Sequence, residues 1–214
     1  MKRFEDTDIR NIYCVGRNYK LHAEELGNAI PKQPMIFTKP THDWHVIGEQ
    51  QQVALPMDRG ALHYEAEVVF YVGQRYEAGM KAEELLKAMA LGIDLTLRDV
   101  QQVCKEKGHP WLSAKGFRRS ALITAFTEQI DWKTVENTPF RMLKNGQEVQ
   151  SGRLSETIFS VQQIVDFIGA HFGLGQGDVI YTGTPAGVGE VSEGDEFELQ
   201  WNGERWGQFK AARA

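Results

Sequence analysis

The segment His63-Tyr64-Glu65-Ala66-Glu67-Val68-Val69-Phe70-Tyr71-Val72 carries the longest clean apolar run of the chain, with two acids at its head. A β-strand sends alternate side chains to opposite faces. Tyr64, Ala66, Val68, Phe70 and Val72 therefore share one face, and Glu65, Glu67, Val69 and Tyr71 the other. Both faces read as mostly buried. Two carboxylates side by side in such a setting repel each other and lose hydration, so something positive should stand against them. A divalent cation meets that need, because hard ions such as Mg²⁺ take carboxylate oxygens. A half-exposed strand end with solvated or lysine-paired glutamates meets it as well.

A third acid bears on the choice. From Leu91 to Asp99, Ile93, Leu95 and Leu97 alternate with Asp94, Thr96 and Arg98, which puts Asp94 inside a second apolar strand, where aspartate is disfavoured. If that strand adjoins the first, Glu65, Glu67 and Asp94 form a three-carboxylate site of octahedral type, with positions open for water or substrate. His63 is read as structural or as a support to that site.

Three further segments hold reactive groups. Gly16-Arg17-Asn18-Tyr19-Lys20-Leu21-His22-Ala23-Glu24-Glu25 reads as a loop entering a short helix, on which His22 and Glu25, three apart, face the same way. A histidine held by a carboxylate can take a proton from water near neutral pH; a solvated histidine beside a helix acid has the same spacing. Lys115 lies in Trp111-Leu112-Ser113-Ala114-Lys115-Gly116-Phe117, able to stabilise an anion or simply to be solvated. The stretch Gly177 to Gly189 reads as a strand entering a Gly/Pro turn with Thr182 and Thr184. It is either a carboxylate cradle of backbone N–H groups or an ordinary tight turn, and it lacks the GK[ST] of a phosphate-binding loop.

The chain has 214 residues, 42% apolar and 25% charged, which fits one globular domain over 1–214. A net charge of −5, with no basic block longer than a pair, argues against nucleic-acid binding. Cys14 and Cys104, 90 positions apart, encode neither a zinc cluster nor a redox pair. With no apolar stretch long enough to span a bilayer and no signal-peptide core, the expectation is a soluble cytoplasmic protein without a membrane partner. Asn145-Gly146 and Asn202-Gly203 predict two tight hairpins. Helices are expected over Lys81 to Leu91, over Asp99 to Lys107, and from a cap at Ser160 to Gly173. Strands outnumber helices, giving an α+β class with a mainly β core.

GRNYxxHxxE at Gly16 to Glu25, IFTKP at Ile36 to Pro40, HYEAEVV at His63 to Val69, the segment Asp94 to Gln101, Trp111 with Lys115, NGxxxQ at Asn145 to Gln150 and the GDVIYTGTPAGVG turn occur in that order. This succession, over about residues 11–200, resembles the fumarylacetoacetate hydrolase family, and the short length resembles its compact acylpyruvase and oxaloacetate decarboxylase branch. The resemblance implies a mixed β-sandwich or roll, usually a homodimer. It implies Glu65, Glu67 and Asp94 as ligands of Mg²⁺ or Mn²⁺, and His22 and Glu25 as a water-activating pair on a mobile lid. Lys115 is implied as a catalytic or orienting cation, and Arg17, Gln101 and Thr184 as substrate contacts.

The activity so implied is cleavage of a C–C bond in a small 2-oxo acid, by acylpyruvate hydrolysis or oxaloacetate decarboxylation through a metal-stabilised enolate. An isomerase or tautomerase of 2-hydroxy-dienoates uses the same enolate, and a 2-oxo-acid binding protein without turnover is a third reading. The chain departs from the family pattern at Arg118 and Arg119, which either accept a second substrate carboxylate or form a surface turn. It also departs at Leu97 and at Thr157.

Overall fold

Strand pairing, more than the unbroken apolar run, decides where the acidic segment sits. The computed structural model describes residues 9–214 except 26, 28 and 50. Its first half contains β1 (Ile12–Gly16), α1 (Lys20–Glu25), β2 (Met35–Lys39), β3 (Trp44–Val46), β4 (Gln51–Leu55), β5 (Leu62–Tyr64) and β6 (Ala66–Val72). Next come α2 (Ala82–Leu85), β7 (Leu86–Asp94), β8 (Thr96–Leu97), α3 (Arg98–Lys107), α4 (Leu112–Lys115) and β9 (Ala121–Ile123). The remainder is β10 (Phe140–Lys144), β11 (Gln147–Gly152), α5 (Val161–His171), β12 (Val179–Tyr181), β13 (Gly189–Glu190), β14 (Glu196–Trp201) and β15 (Glu204–Arg213).

The strands form a seven-stranded sheet in the order β2-β1-β12-β6-β7-β9-β3, a five-stranded sheet β11-β10-β14-β15-β4 and a three-stranded sheet β13-β5-β8. Parallel pairs (β1 with β12, β3 with β9, β15 with β4) mix with antiparallel ones, so the class is α+β, mainly β, as expected. Among the described residues no helix is long and apolar enough to cross a membrane.

The alternation expected along the acidic segment holds. Tyr64, Ala66, Val68, Phe70 and Val72 all enter the larger core, while Val69 and Tyr71 enter a smaller one on the opposite face with Ile12, Cys14, Ala88, Ala90 and Tyr181. Each large apolar side chain so buried contributes about 1.5–3 kcal/mol. The expected single strand is nevertheless two, with Glu65 in the break between β5 and β6. The second acidic strand is also cut short: Asp94 ends β7, and α3 begins at Arg98.

The helix expected over Lys81 to Leu91 is corrected to the single turn α2, because Leu86 onward belongs to β7. Ala88 and Ala90 face one core, Met89 and Leu91 the other. An apolar run buried on both sides carries no period that separates strand from helix, and antiparallel pairing with β6 decides it. The other helices agree closely with expectation. α3 closes at Gly108, and Ser160 caps α5 by accepting the Gln163 N–H while the Gln163 side chain takes the Ser160 N–H. Both Asn-Gly pairs turn hairpins, with φ of 53° and 78° at 145–146 and 51° and 81° at 202–203.

Candidate active site

The three acids meet because β6 and β7 are neighbours. Ala66 pairs with Ile93 and Glu67 with Gly92, and the Asp94 N–H donates to the Glu65 carbonyl at 2.8 Å. Glu67 and Asp94 thus stand diagonally on one face, with Glu65 in the adjacent break. Their carboxylate oxygens all lie within 4.8 Å of one another, and all three residues are buried.

Basic side chains hold two of the acids. Lys115 Nζ lies 2.7 Å from both Glu65 Oε2 and Asp94 Oδ2. Arg98 Nη2 donates to Glu65 Oε1 at 2.5 Å, and its Nη1 donates to Gln101 Oε1 at 2.8 Å. Lys39 Nζ lies 2.8 Å from Asp94 Oδ1, off the angle of a hydrogen bond, and donates to the Leu95 and Lys115 carbonyls. Burial pushes the Glu65 carboxyl up, but Lys115, Arg98 and His22 outweigh it and hold it well below the usual carboxylate range. Burial likewise opposes charge on Lys115, yet Asp94 and Glu65 raise its pKa.

Glu67 is the exception. It accepts the Gly183 N–H at 2.7 Å but has no basic side chain among the described residues. Burial, then the Asp94 charge, push its carboxyl well above the usual range. A buried acid left without a cation, beside two others that share their oxygens with the same cleft, fits a divalent hard ion with an all-oxygen donor set.

The turn after β12 does serve as a carboxylate cradle, for the protein's own acids. Gly183 turns at φ 103°, a conformation that favours glycine. An added Cβ there would lie 2.6 Å from Asn18 Cβ. Further along, the Gly187 N–H lies 3.1 Å from Glu25 Oε1. Glu25 in turn lies 3.4 Å from His22 Nδ1 on α1. His22 is 5% exposed, and burial lowers its pKa against the pull of Glu65 and Glu25. If Nδ1–H is turned toward Glu25, Nε2 is left as a proton acceptor.

These groups line a small cleft that opens to solvent. Of the sequence candidates, Arg17, His22, Glu65, Glu67, Asp94, Gln101, Lys115 and Thr184 all line it. Glu25 stands behind His22 instead. Thr184 donates its hydroxyl to the Ala66 carbonyl at 2.8 Å and accepts from Gln150 Nε2 at 2.9 Å. Arg118 and Arg119 do not line the cleft; Arg118 is exposed, and Arg119 donates to the Ala54 carbonyl at 2.8 Å.

Comparison with known proteins identifies the family. The family model described as fumarylacetoacetate (FAA) hydrolase C-terminal matches residues 11–211. The chain belongs to the fumarylacetoacetate hydrolase family. It is 37% identical over 206 residues to oxaloacetate tautomerase FAHD1, mitochondrial, of Bos taurus, covering 95% of this chain and 92% of that protein. To oxaloacetate tautomerase YcgM of Escherichia coli (strain K12) it is 34% identical, with 92% and 91% covered. Among solved structures, fumarylpyruvate hydrolase from Pseudomonas aeruginosa, in complex with Mn²⁺ and pyruvate, superimposes with a TM-score of 0.86 at 31% identity, over 96% of this chain and 91% of that one.

Several residues of this candidate site carry no clear signal in the sequence of this fumarylacetoacetate hydrolase family member. Lys39 was part of a family motif with no role attached, although strand alternation puts it on the face of Phe37, which lines the cleft. Arg98 shares the Asp94 face in the strand pattern, but alternation alone does not pair it with Glu65, to which it donates. Lys105, on α3, gave no local signal at all. Gln150 reaches the site from β11 through Thr184, the Pro185 carbonyl and the Ala66 N–H; its NGxxxQ motif carried no hint of that reach.

Proposed function

We propose that this protein cleaves a C–C bond of a small 2-oxo acid, by acylpyruvate hydrolysis or oxaloacetate decarboxylation, using Mg²⁺ or Mn²⁺ at Glu65, Glu67 and Asp94. The observation that carries the reading is the buried three-carboxylate cluster opening into the same cleft as His22 and Lys115. When bound, the cation would supply Lewis-acid polarisation of the keto oxygen and so favour the enolate.

The protein's own groups divide the remaining work. His22, steadied by Glu25, accepts a proton from water at Nε2 for attack on the distal carbonyl of an acylpyruvate. Its lowered pKa keeps it neutral, and so competent as a base, at neutral pH. Lys115 offers its ammonium to the developing oxyanion. Arg17, Gln101 and Thr184 contact and orient the substrate. Decarboxylation of oxaloacetate reaches the same enolate without the water step, so the demand on His22 separates the two reactions.

The names of the two tautomerase relatives support a second reading, in which a proton is removed to give the enolate and returned at another atom, with no C–C bond broken. Isomerisation of 2-hydroxy-dienoates belongs to the same class. The motive for a non-catalytic binding role, the altered stretch at Arg118 and Arg119, lies outside the cleft lining. The protein is further proposed to be a cytoplasmic homodimer, to be tested by sedimentation. The deciding experiment follows oxaloacetate, acetylpyruvate and a 2-hydroxy-dienoate by NMR and mass, with and without Mn²⁺. Release of pyruvate, lost in Glu65→Gln, is expected; isomerised product with every carbon retained selects the second reading, and turnover surviving EDTA overturns the metal role.

A further inference from the structure

Three polar atoms beside the site are buried with no hydrogen-bond partner among the described residues: His63 Nδ1, Thr96 Oγ1 and Arg98 Nε. They belong to one patch. In the three-stranded sheet His63 pairs with Thr96 across β5 and β8, and Leu62 pairs with Leu97. The Arg98 N–H donates to the Ala61 carbonyl at 2.8 Å, which carries the same register one step further and sets Arg98 opposite Ala61. Residues opposite each other, and residues two apart on one strand, share a face. Leu62 and Leu97 accordingly enter the larger core. His63, Thr96 and Arg98 share the other side, with Arg98 diagonal to His63, a separation that long and aromatic side chains span.

The three atoms complement one another in chemistry as well as in place. The Arg98 Nε–H only donates, an imidazole with its proton on Nε2 accepts at Nδ1, and a threonine hydroxyl does both. One arrangement satisfies all three: Arg98 Nε–H to Thr96 Oγ1, and the Thr96 hydroxyl to His63 Nδ1. Buried groups left unpaired are costly, and native structures hold few of them.

The consequence falls on the cleft. Arg98 lines it, whereas His63 and Thr96 stand outside its lining. The other two corners of the Arg98 guanidinium are committed, Nη2 to Glu65 Oε1 at 2.5 Å and Nη1 to Gln101 Oε1 at 2.8 Å. Because the guanidinium is a rigid plane, a hold on Nε orients both of those contacts.

We propose that His63, Thr96 and Arg98 form a hydrogen-bonded relay in which His63 and Thr96 are positioning residues: by holding the Arg98 guanidinium they fix Glu65 and Gln101 at the cleft, and so preorganise the three-carboxylate cluster for its cation. The inference rests on the proposed function for the cation; the relay itself stands on the strand register and the three unpaired atoms.

Two measurements on full-length protein test the two halves. In metal-free protein the ¹⁵N–¹H signal of Arg98 Nε–H is assigned by its loss in Arg98→Lys. It should be protected from solvent exchange in the wild type, in Thr96→Ser and in His63→Asn, whose amide oxygen replaces Nδ1 as acceptor, and should exchange rapidly in Thr96→Val and His63→Leu. Titration with Mn²⁺ alone, followed by the EPR signal of the free ion, should show affinity about tenfold or more weaker in those two apolar variants and near wild type in the two conservative ones. The double variant Thr96→Val/His63→Leu should bind no more weakly than either single one, whereas two independent packing defects would add. Should one apolar variant fail to fold, the other and its conservative counterpart decide. An Arg98 signal unprotected in the wild type or equally protected in every variant, Mn²⁺ affinity unmoved by the apolar substitutions, or losses that multiply in the double variant overturns the inference. A wild type that binds no Mn²⁺ defeats the proposed function and the preorganising role together, while the exchange data still decide whether the relay exists.

Discussion

Glu67 is where stability and function pull apart most clearly. Its carboxyl is raised by burial and by Asp94, so in metal-free protein the ionised form is penalised. That penalty is absent below the unfolded value near 4.5 and grows as pH rises toward the folded pKa. Glu67→Gln keeps an acceptor for the Gly183 N–H and removes the charge. It should stabilise metal-free protein at pH 7.5 by about 1–2 kcal/mol, or roughly 2–8 °C in Tm, with the gain vanishing near pH 4.5. Thermal melts in EDTA at the two pH values check this. His22 provides the kinetic counterpart. Because burial lowers its pKa from 6.5, the acid limb of a kcat/KM profile should fall below pH 6.5, and His22→Asn should reduce hydrolysis by about 10²–10⁴-fold. A limb above 6.5 would mean that Glu25 and Glu65 win over burial. At this scale the acids were legible because charge in an apolar run is conspicuous. Lys105 was not, since a lysine in the last turn of a helix is commonplace and its neighbours Arg17 and Trp111 arrive only through folding.

The turn joining β12 to β13 binds two functional groups through backbone N–H donors, Gly183 to Glu67 and Gly187 to Glu25. Thr182 and Thr184 anchor it by donating to the Val68 and Ala66 carbonyls, and Asn18 ties α1 to it by donating to the Thr182 carbonyl at 2.8 Å. The same turn therefore holds one metal-ligand candidate and the carboxylate that steadies His22. Gly183→Ala forces a Cβ against Asn18 at positive φ and should cost about 1–3 kcal/mol. By withdrawing the N–H from Glu67 it should also weaken Mn²⁺ binding about tenfold or more, measurable by metal titration. Elements with local signals, the two Asn-Gly hairpins and the capped α5, were legible in the sequence. The stretch after Lys81 was not: its alternation of small and large apolar residues suits either a helix face or a strand buried on both sides, and only the partner strand β6 settles it.

At the scale of the whole molecule the site is a product of topology. Arg17 follows β1, Lys39 ends β2, Glu67 lies in β6, Asp94 ends β7, Lys115 ends α4 and Thr184 follows β12. The strand order β2-β1-β12-β6-β7 gathers all of these but Lys115 at one sheet, and nothing local in the sequence encodes that order. Glu67 and Asp94 belong to the antiparallel pair β6 and β7, and Glu65 to the junction of that pair with the three-stranded sheet, so a cation among them would cross-link the middle of the fold. Folding and metal binding are then coupled: a ligand that binds only the native state adds about 2.7 kcal/mol at one hundred times its Kd. For a chain of this size that corresponds to roughly 5–10 °C. Melts in excess Mn²⁺ should exceed those in EDTA by this amount, whereas Glu67→Gln should start higher in EDTA and gain little from Mn²⁺. An equal gain in wild type and variant would place the ion elsewhere. The cation also changes the meaning of the formal charge of −5, because one divalent ion at the three acids brings the formal charge of the loaded protein to −3.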